Sequence, residues 1–259
     1  MGKSDTYIIT ALTALTALAV SAGCAGLIPA QKQYQVLAEP VLPEGRGNVY
    51  VDLEDSSVVF TKEGAIIKVR LLSDAELNER FPLGPDGRFV NPYSYRKNDP
   101  VLGYVPPRFT VFDVTVINET YSKILFDPAK ALLIDDKRKE FRYYDGARDA
   151  TDLLGGNTFA TYFGLTSGRS GNELQLNMER RGLINKTIYQ RNRLVFKGDR
   201  RTGLLVFDPL TDNTRQIRLL LKEFVLVFDL HGDPEKYVDV EFVFDIEQRV
   251  VEIAESGGG

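Results

Sequence analysis

Residues 236–248 read KYVDVEFVFDIEQ. Val238, Val240, Phe242, Phe244 and Ile246 fall at every second place, with Asp239, Glu241, Asp245 and Glu247 between them. Only Val243 breaks the polar series. Side chains of an extended chain alternate between two faces, so this stretch predicts a strand with one face buried and one wet. Antiparallel sheets carry that pattern, whereas parallel sheets are covered on both faces and read as unbroken apolar runs.

The same signal continues upstream. QIRLLL (216–221) and EFVLVFDL (223–230) precede it, and RLVFKG (193–198) leads through a turn at 198–201 into TGLLVFD (202–208). RFTVFDVTVIN (108–118), KILFD (123–127) and ALLID (131–135) are further strands, and KEFRYY (139–144) forms a hairpin with ALLID across the charged turn. Near the start of the series stand NVYVDL (48–53), SVVFT (57–61) and AIIKVRLL (65–72). Ser73 and Glu76 have capping-box spacing and predict a short helix ahead of Pro82. Many short strands with turns of Gly, Asp and Pro predict a mostly β fold, an antiparallel sandwich in one domain over 48–253.

Two insertions interrupt the strands. Residues 82–107 hold six prolines and three tyrosines, Tyr93, Tyr95 and Tyr104. Long loops in compact domains are often binding surfaces, and Tyr is a good interface anchor. The loop is therefore either a docking arm or a strap that packs its tyrosines on its own sandwich. Residues 145–191 contain a helical stretch, NELQLNMERRGLINKTIYQR, with Leu174, Met178, Leu183 and Ile188 on one side. Arg180 and Arg181 open a basic stretch up to Arg201, a candidate contact for an acidic partner or a solvated face balanced by nearby acids.

Composition narrows the chemistry. With one His (His231), one Cys (Cys24) and no Trp, the chain has no internal disulfide and lacks the ligands for Cys/His zinc, haem or iron–sulfur sites. No cofactor is expected. A net charge of −4 gives no electrostatic reason to expect nucleic acid. Ser170 lies outside any G-x-S-x-G elbow, and Gly155-Gly156-Asn157 precedes no G-K-[ST]. Asp229, His231, Asp233 and Glu235 in DLHGDPE, and Asp208, Asp212 and Asn213 in DPLTDNT, could gather around a cation, but both runs have the residues of ordinary turns.

The N-terminal part carries a second signal. Residues 7–22, YIITALTALTALAVSA, are uncharged and suit a signal-peptide apolar region. They lead into Ser21-Ala22-Gly23-Cys24-Ala25, which resembles the lipobox of bacterial lipoproteins. That resemblance implies a signal peptide over 1–23, lipidation of Cys24 and anchoring by several acyl chains. Ala25 in place of Asp implies an outer-membrane address facing the periplasm. Residues 24–47, with Pro29, Pro40, Pro43, Gly45 and Gly47, then read as a flexible tether, and 254–259 as a frayed tail.

FTVFDVTVIN with ET, FDPAKALLIDDKRKEFRYYD and FKGDRRTGLLVFDP together resemble an immunoglobulin-like β-sandwich found in many bacterial lipoproteins of unknown role. In that family a strand ending Val-x-Asn gives way to Asp-Pro and a charged hairpin. A later glycine-marked hairpin, here Gly198, Gly203 and Phe207, closes the sheet. The resemblance covers about 108–145 and 193–247 and implies no active site.

The expectation is a non-enzymatic, membrane-anchored scaffold subunit of an envelope protein complex, with Tyr93, Tyr95, Tyr104, Arg180 and Arg181 as partner contacts. A lipid-, glycan- or small-ligand-binding module is the alternative. Hydrolysis by paired carboxylates is the one enzymatic chemistry this inventory suits.

Overall fold

The computed structural model describes residues 31–43, 47–84, 86–146, 158–166 and 171–253. The expected signal peptide, Cys24 and residues 254–259 lie outside them, as does GARDATDLLGG apart from its first residue, Gly146. Residues 34–250 make one compact unit. The terminal residues 1–33 and 251–259 make another, described only at 31–33 and 251–253.

The strands are β1 (Gln31–Val41), β2 (Val49–Val51), β3 (Val58–Lys62), β4 (Ala65–Leu72), β5 (Thr110–Asn118) and β6 (Lys123–Ile124). They continue with β7 (Ala131–Asp135), β8 (Glu140–Phe141), β9 (Val195–Phe196), β10 (Arg200–Phe207), β11 (Gln216–Phe228) and β12 (Pro234–Ile253). Helices α1 (Asp74–Arg80), α2 (Phe159–Thr166) and α3 (Gly171–Thr187), with a 3-10 turn at Pro128–Lys130, complete the described elements. Two five-stranded antiparallel sheets pack together, ordered β1-β12-β11-β7-β8 and β10-β5-β4-β3-β2, with β6 and β9 as a small two-stranded piece. The fold is thus mostly β and sandwich-like, with a short helical insertion.

β12 buries the face its alternation marks out: Val240, Phe242, Phe244 and Ile246 are buried and Asp239, Glu241, Asp245 and Glu247 exposed. They meet Val58, Ile67, Val69, Phe112, Val114 and Val116 of the second sheet in the main core. Phe112 and Phe244 join the layers with ring centroids 5.9 Å apart. At the start of α1, Ser73 accepts from the Glu76 amide while Glu76 accepts from the Ser73 amide, closing the expected capping box. A cap of this kind contributes about 1 kcal/mol.

Four expectations need correction. Residues 31–41, read as tether, form β1 at a sheet edge. Pro40 lacks a backbone donor, and an edge strand has an unpaired side on which that lack costs nothing. QIRLLL and EFVLVFDL form one strand, β11, because Glu223 takes a positive φ of 52° and carries the chain through a bulge between Leu221 and Phe224. RLVFKG and TGLLVFD form no paired hairpin: β9 pairs with β6, while β10 pairs with β5. The turn itself is present, with Gly198 at φ +84° and the Asp199 amide donating to the Phe196 carbonyl at 2.9 Å, but it hands the chain from one sheet to another. On α3, Leu174 and Met178 face water, and Asn177 and Ile184 are the buried residues.

The second sheet is covered on both faces. Leu205 and Phe207 of β10 enter the main core. Leu204 and Val206 enter a second core with Val111, Leu77, Phe81, Tyr93, Phe159, Phe163, Ile184 and Ile188. Covering on both sides is why TGLLVFD reads as an unbroken apolar run. The Pro/Tyr loop and the helices form this extra layer, and the candidate site lies in it.

Candidate functional site

Tyr93 is no docking residue. Its ring is fully buried at the centre of the second core, 5.4 Å from Phe81 and 6.1 Å from Phe159 between centroids. Its hydroxyl lies 2.7 Å from that of Thr187 on α3, and Asn91 accepts its backbone amide. Burial pushes the phenol well above its ordinary range. Tyr104 is half-buried and stacks on Tyr34 of β1 at 5.7 Å, with ring planes 13° apart. Tyr34 is pushed up to about 12, first by burial and then by the charge of Asp212. So the loop packs its tyrosines on its own sandwich, and only Tyr95, 41% exposed, keeps a large open face.

Around Tyr95 the layer brings together residues that the sequence reading passed over. Arg108, two residues ahead of β5, is 7% exposed. Its guanidinium carbon sits 4.9 Å from the Tyr95 ring centroid, 5.7 Å from Phe109, 5.1 Å from Tyr162 and 4.7 Å from Phe163. Its Nε donates to the Tyr162 hydroxyl at 3.3 Å, and the hydroxyls of Tyr162 and Tyr95 are 3.1 Å apart. Burial and that hydroxyl contact push Tyr95 up to about 12. Ring faces attract a cation but accept none of its N–H bonds in plane.

Arg180 projects from α3 into the same layer, where its Nη2 donates to the Phe89 carbonyl at 3.3 Å. Its Nε is buried with no partner among the described residues. Burial first, and then the charge of Arg108, push this guanidinium below its ordinary value. Arg181, next along α3, is exposed. The structure therefore places Tyr93, Tyr95 and Arg180 in the helical layer, Tyr93 within its core and Tyr95 against Arg108, while Tyr104 stacks on β1 and Arg181 is exposed. One signal was available in the sequence: Phe159, Tyr162 and Phe163 have the i, i+3, i+4 spacing of one helix face. Arg108 carried none.

Of the remaining basic residues in this stretch, Arg191 and Arg201 are tied into the fold, while Lys186, Arg193, Lys197 and Arg200 are exposed. Arg191 takes both oxygens of Asp127 at 2.8 and 3.0 Å and one of Asp145 at 3.2 Å. Such a bidentate pair is the strong form of the interaction. Burial raises the Asp127 carboxyl, but the Arg191 hydrogen bonds and charge outweigh it and hold it below the ordinary range. A cavity of about 160 Å³ is lined by Lys186, Ile188, Tyr189, Gln190, Arg201 and Thr202.

Both acidic runs behave as turns. Asp229 accepts the amides of His231 and Asp233, each at 2.8 Å, and Gly232 has a φ of +90°. In the second run the Thr214 amide donates to the Thr211 carbonyl at 3.2 Å and Asn213 has a φ of +63°, while Asp208 is taken by the Tyr144 hydroxyl at 2.8 Å and Arg142 at 3.0 Å. Among the described residues no group of three or more His, Cys, Asp or Glu side chains could hold a metal ion. Also among them, no helix is long and apolar enough to cross a membrane. Ser170 lies outside the described residues.

No family model, no curated protein and no solved structure matches the chain.

Proposed function

We propose that this protein is a lipid-anchored, non-catalytic binding subunit of a bacterial cell envelope, held by Cys24 and contacting a protein partner through the outward face of its helical layer. One observation carries the binding half. α3 packs through Asn177, Arg180 and Ile184, yet it turns Leu174 and Met178, 46% and 65% exposed and one helical turn apart, into water beside Arg181. Apolar side chains with a neighbouring Arg, on a rigid element, are the composition of an interface core. The lipobox-like Ser21-Ala22-Gly23-Cys24 supports the anchor, and the sandwich fits the lipoprotein family that the strand motifs resemble. Within that family's architecture, the immunoglobulin-like assignment is part of this proposal.

A small-ligand module is the second reading. The buried, aromatic-lined Arg108 favours it and is compatible with the first.

The test is affinity capture of the full-length protein from native membranes in mild detergent. Deleting 82–107 would remove Tyr93 from the second core, so point changes are the right control. Wild type is expected to bring down a defined envelope protein, and Met178→Asp to lose it while keeping the same melting temperature. Cys24→Ser is expected in the soluble fraction. Wild type emerging alone overturns the partner; Cys24→Ser remaining tightly in the membrane overturns the anchor.

A further inference from the structure

We infer that the tip of the Pro/Tyr loop, residues 96–103, is a second point of membrane contact: Val101 and Leu102 enter the lipid surface, and Arg96 and Lys97 meet anionic head groups. The inference rests on reading Cys24 as the lipid anchor and adds where the domain itself touches the lipid.

The loop folds its tyrosines back but leaves its tip in water. Over 96–103, RKNDPVLG, every residue except Asp99 is exposed. Val101 is 90% exposed and Leu102 43%. The turn that carries them is closed on itself. The Asp99 amide donates to the Tyr104 carbonyl at 2.9 Å, and the Gly103 amide to the Asp99 carbonyl at 2.8 Å. The Asp99 carboxylate accepts the amides of Val101 and Leu102 at 2.8 and 3.0 Å. Pro100 has no N–H to satisfy. Each backbone donor over 99–103 is thus spent inside the turn, so the tip can leave water without orphaning one. Arg96 and Lys97 stand beside it, exposed and without an ion pair among the described residues, whereas Arg88 on the same loop bonds Asp86 and Glu179. Apolar side chains flanked by free cations are the composition of a surface that lies on anionic lipid.

Placement decides that lipid is the occupant. Tyr104 closes the turn and stacks on Tyr34. Three residues span at most about 11 Å, so Val101 stays close to that ring pair. The Tyr34 hydroxyl donates to Gln248 at 3.0 Å. Gln248 lies 14 residues along β12 from Pro234, which is about 45 Å of strand. Leu230, in the turn that enters β12, therefore marks the opposite end of the sandwich. Cys24 is ten residues ahead of Tyr34. Whatever path the residues between them take, ten residues reach at most about 35 Å. The chain thus ties the tip's end of the sandwich to the acyl chains. Anchoring also makes the tip's meeting with the surface intramolecular, so a contact too weak to hold the protein alone is still occupied. A domain held at two points no longer swings freely on its tether.

The chain has no Trp, so Val101→Trp and Leu230→Trp each carry a single fluorophore at an exposed position. Each full-length variant is reconstituted into phosphatidylglycerol/phosphatidylethanolamine vesicles with bromine on the upper acyl chains. Flotation reads the anchor, and quenching reads the contact. Both variants are expected to float. Trp at 101 is expected to emit at shorter wavelength and to be quenched, as a side chain about 5–10 Å into the interface is. Trp at 230 is expected to do neither. In brominated phosphatidylcholine alone, quenching at 101 is expected to fall, because Arg96 and Lys97 lose their anionic partner. Protein that floats while 101 stays unquenched, or with 101 and 230 quenched alike, overturns the tip contact alone. Equal quenching at 101 in both lipids overturns the part given to Arg96 and Lys97. Protein that does not float overturns the anchor, and the tip contact with it.

Discussion

Gly203→Val is expected to cost about 3 kcal/mol or more, a large fraction of the roughly 5–15 kcal/mol by which folded domains are stable. Gly203 lies in β10 opposite Val114 of β5. A Cβ built there would stand 2.5 Å from Tyr189 Cα and 2.6 Å from Tyr189 N. Those are backbone atoms, so no side-chain rotation relieves the clash. Nor can the crossing chain lift away. The Tyr189 amide donates to the Leu204 carbonyl at 3.0 Å, and Ile188 bridges Leu204 beside it. The Tyr189 ring, 3% exposed, packs on Phe126 with centroids 5.2 Å apart. Gly203 is thus where the exit of α3 crosses the second sheet backbone to backbone. Equilibrium urea unfolding measures the loss. Gly182→Ala is the matched control: a Cβ there meets nothing within 4 Å, and Ala gains up to about 1 kcal/mol inside a helix. A Gly203→Val protein as stable as wild type would mean that this crossing is wrongly placed.

Asn118→Ala is expected to cost about 3 kcal/mol, because it orphans three backbone groups at once, the Val195 carbonyl fully buried and the two of Tyr121 partly so. Asn118 is fully buried at the end of β5. Its amide nitrogen donates to the carbonyls of Tyr121 and Val195 at 2.8 and 2.9 Å, and its amide oxygen accepts the Tyr121 N–H at 3.0 Å. One side chain therefore closes the turn after β5 and ties it to β9, on the far side of the helical insertion. Asn118→Asp, which keeps the shape but loses both donors, is expected to cost at least as much, since two carbonyls then face a carboxylate. Chemical denaturation gives the magnitude, and faster hydrogen exchange of the Tyr121 amide gives the location. Unchanged exchange at Tyr121 would contradict the assignment.

Both residues sit in motifs that were visible in the sequence, but their physical roles were not. The Val-x-Asn ending of β5 was legible; that its Asn reaches residue 195 was not, because the contact spans the whole insertion. Alternation over 236–248 gave β12 its faces without ambiguity, since one side is wet along most of the strand. β1 escaped notice for the opposite reason. Its Gln, Lys and Glu residues and Pro40 suit an exposed edge, and among its described residues only Val36 and Ala38 pack against the main core. β11 looked like two strands because Lys222 and Glu223 sit at a bulge where both side chains face water.

The second core limited the functional reading most. Pro and Tyr in 82–107 describe a loop equally well whether it reaches outward or folds back, and a second apolar face on β10 decided for folding back. Once Val206 and Leu204 face outward from the sandwich, something apolar must cover them, and Tyr93 does so. On α3 the rule that apolar residues face inward fails, because Leu174 and Met178 are apolar and Asn177 and Arg180 are not. The buried side of that helix follows 177, 180 and 184, which is helical spacing with polar members. Residues that break the simple rule in this way, an outward Met and an inward Arg, are the ones on which the functional account is built.

Its central claim is that the outward face of α3 meets a partner in the envelope. The most direct measurement places a photo-crosslinking amino acid at position 178 of the full-length protein in native membranes, with the same probe at fully exposed Leu230 for comparison. The account predicts one discrete protein adduct from position 178 and none from position 230. No adduct at 178, or the same adducts from both positions, would contradict it.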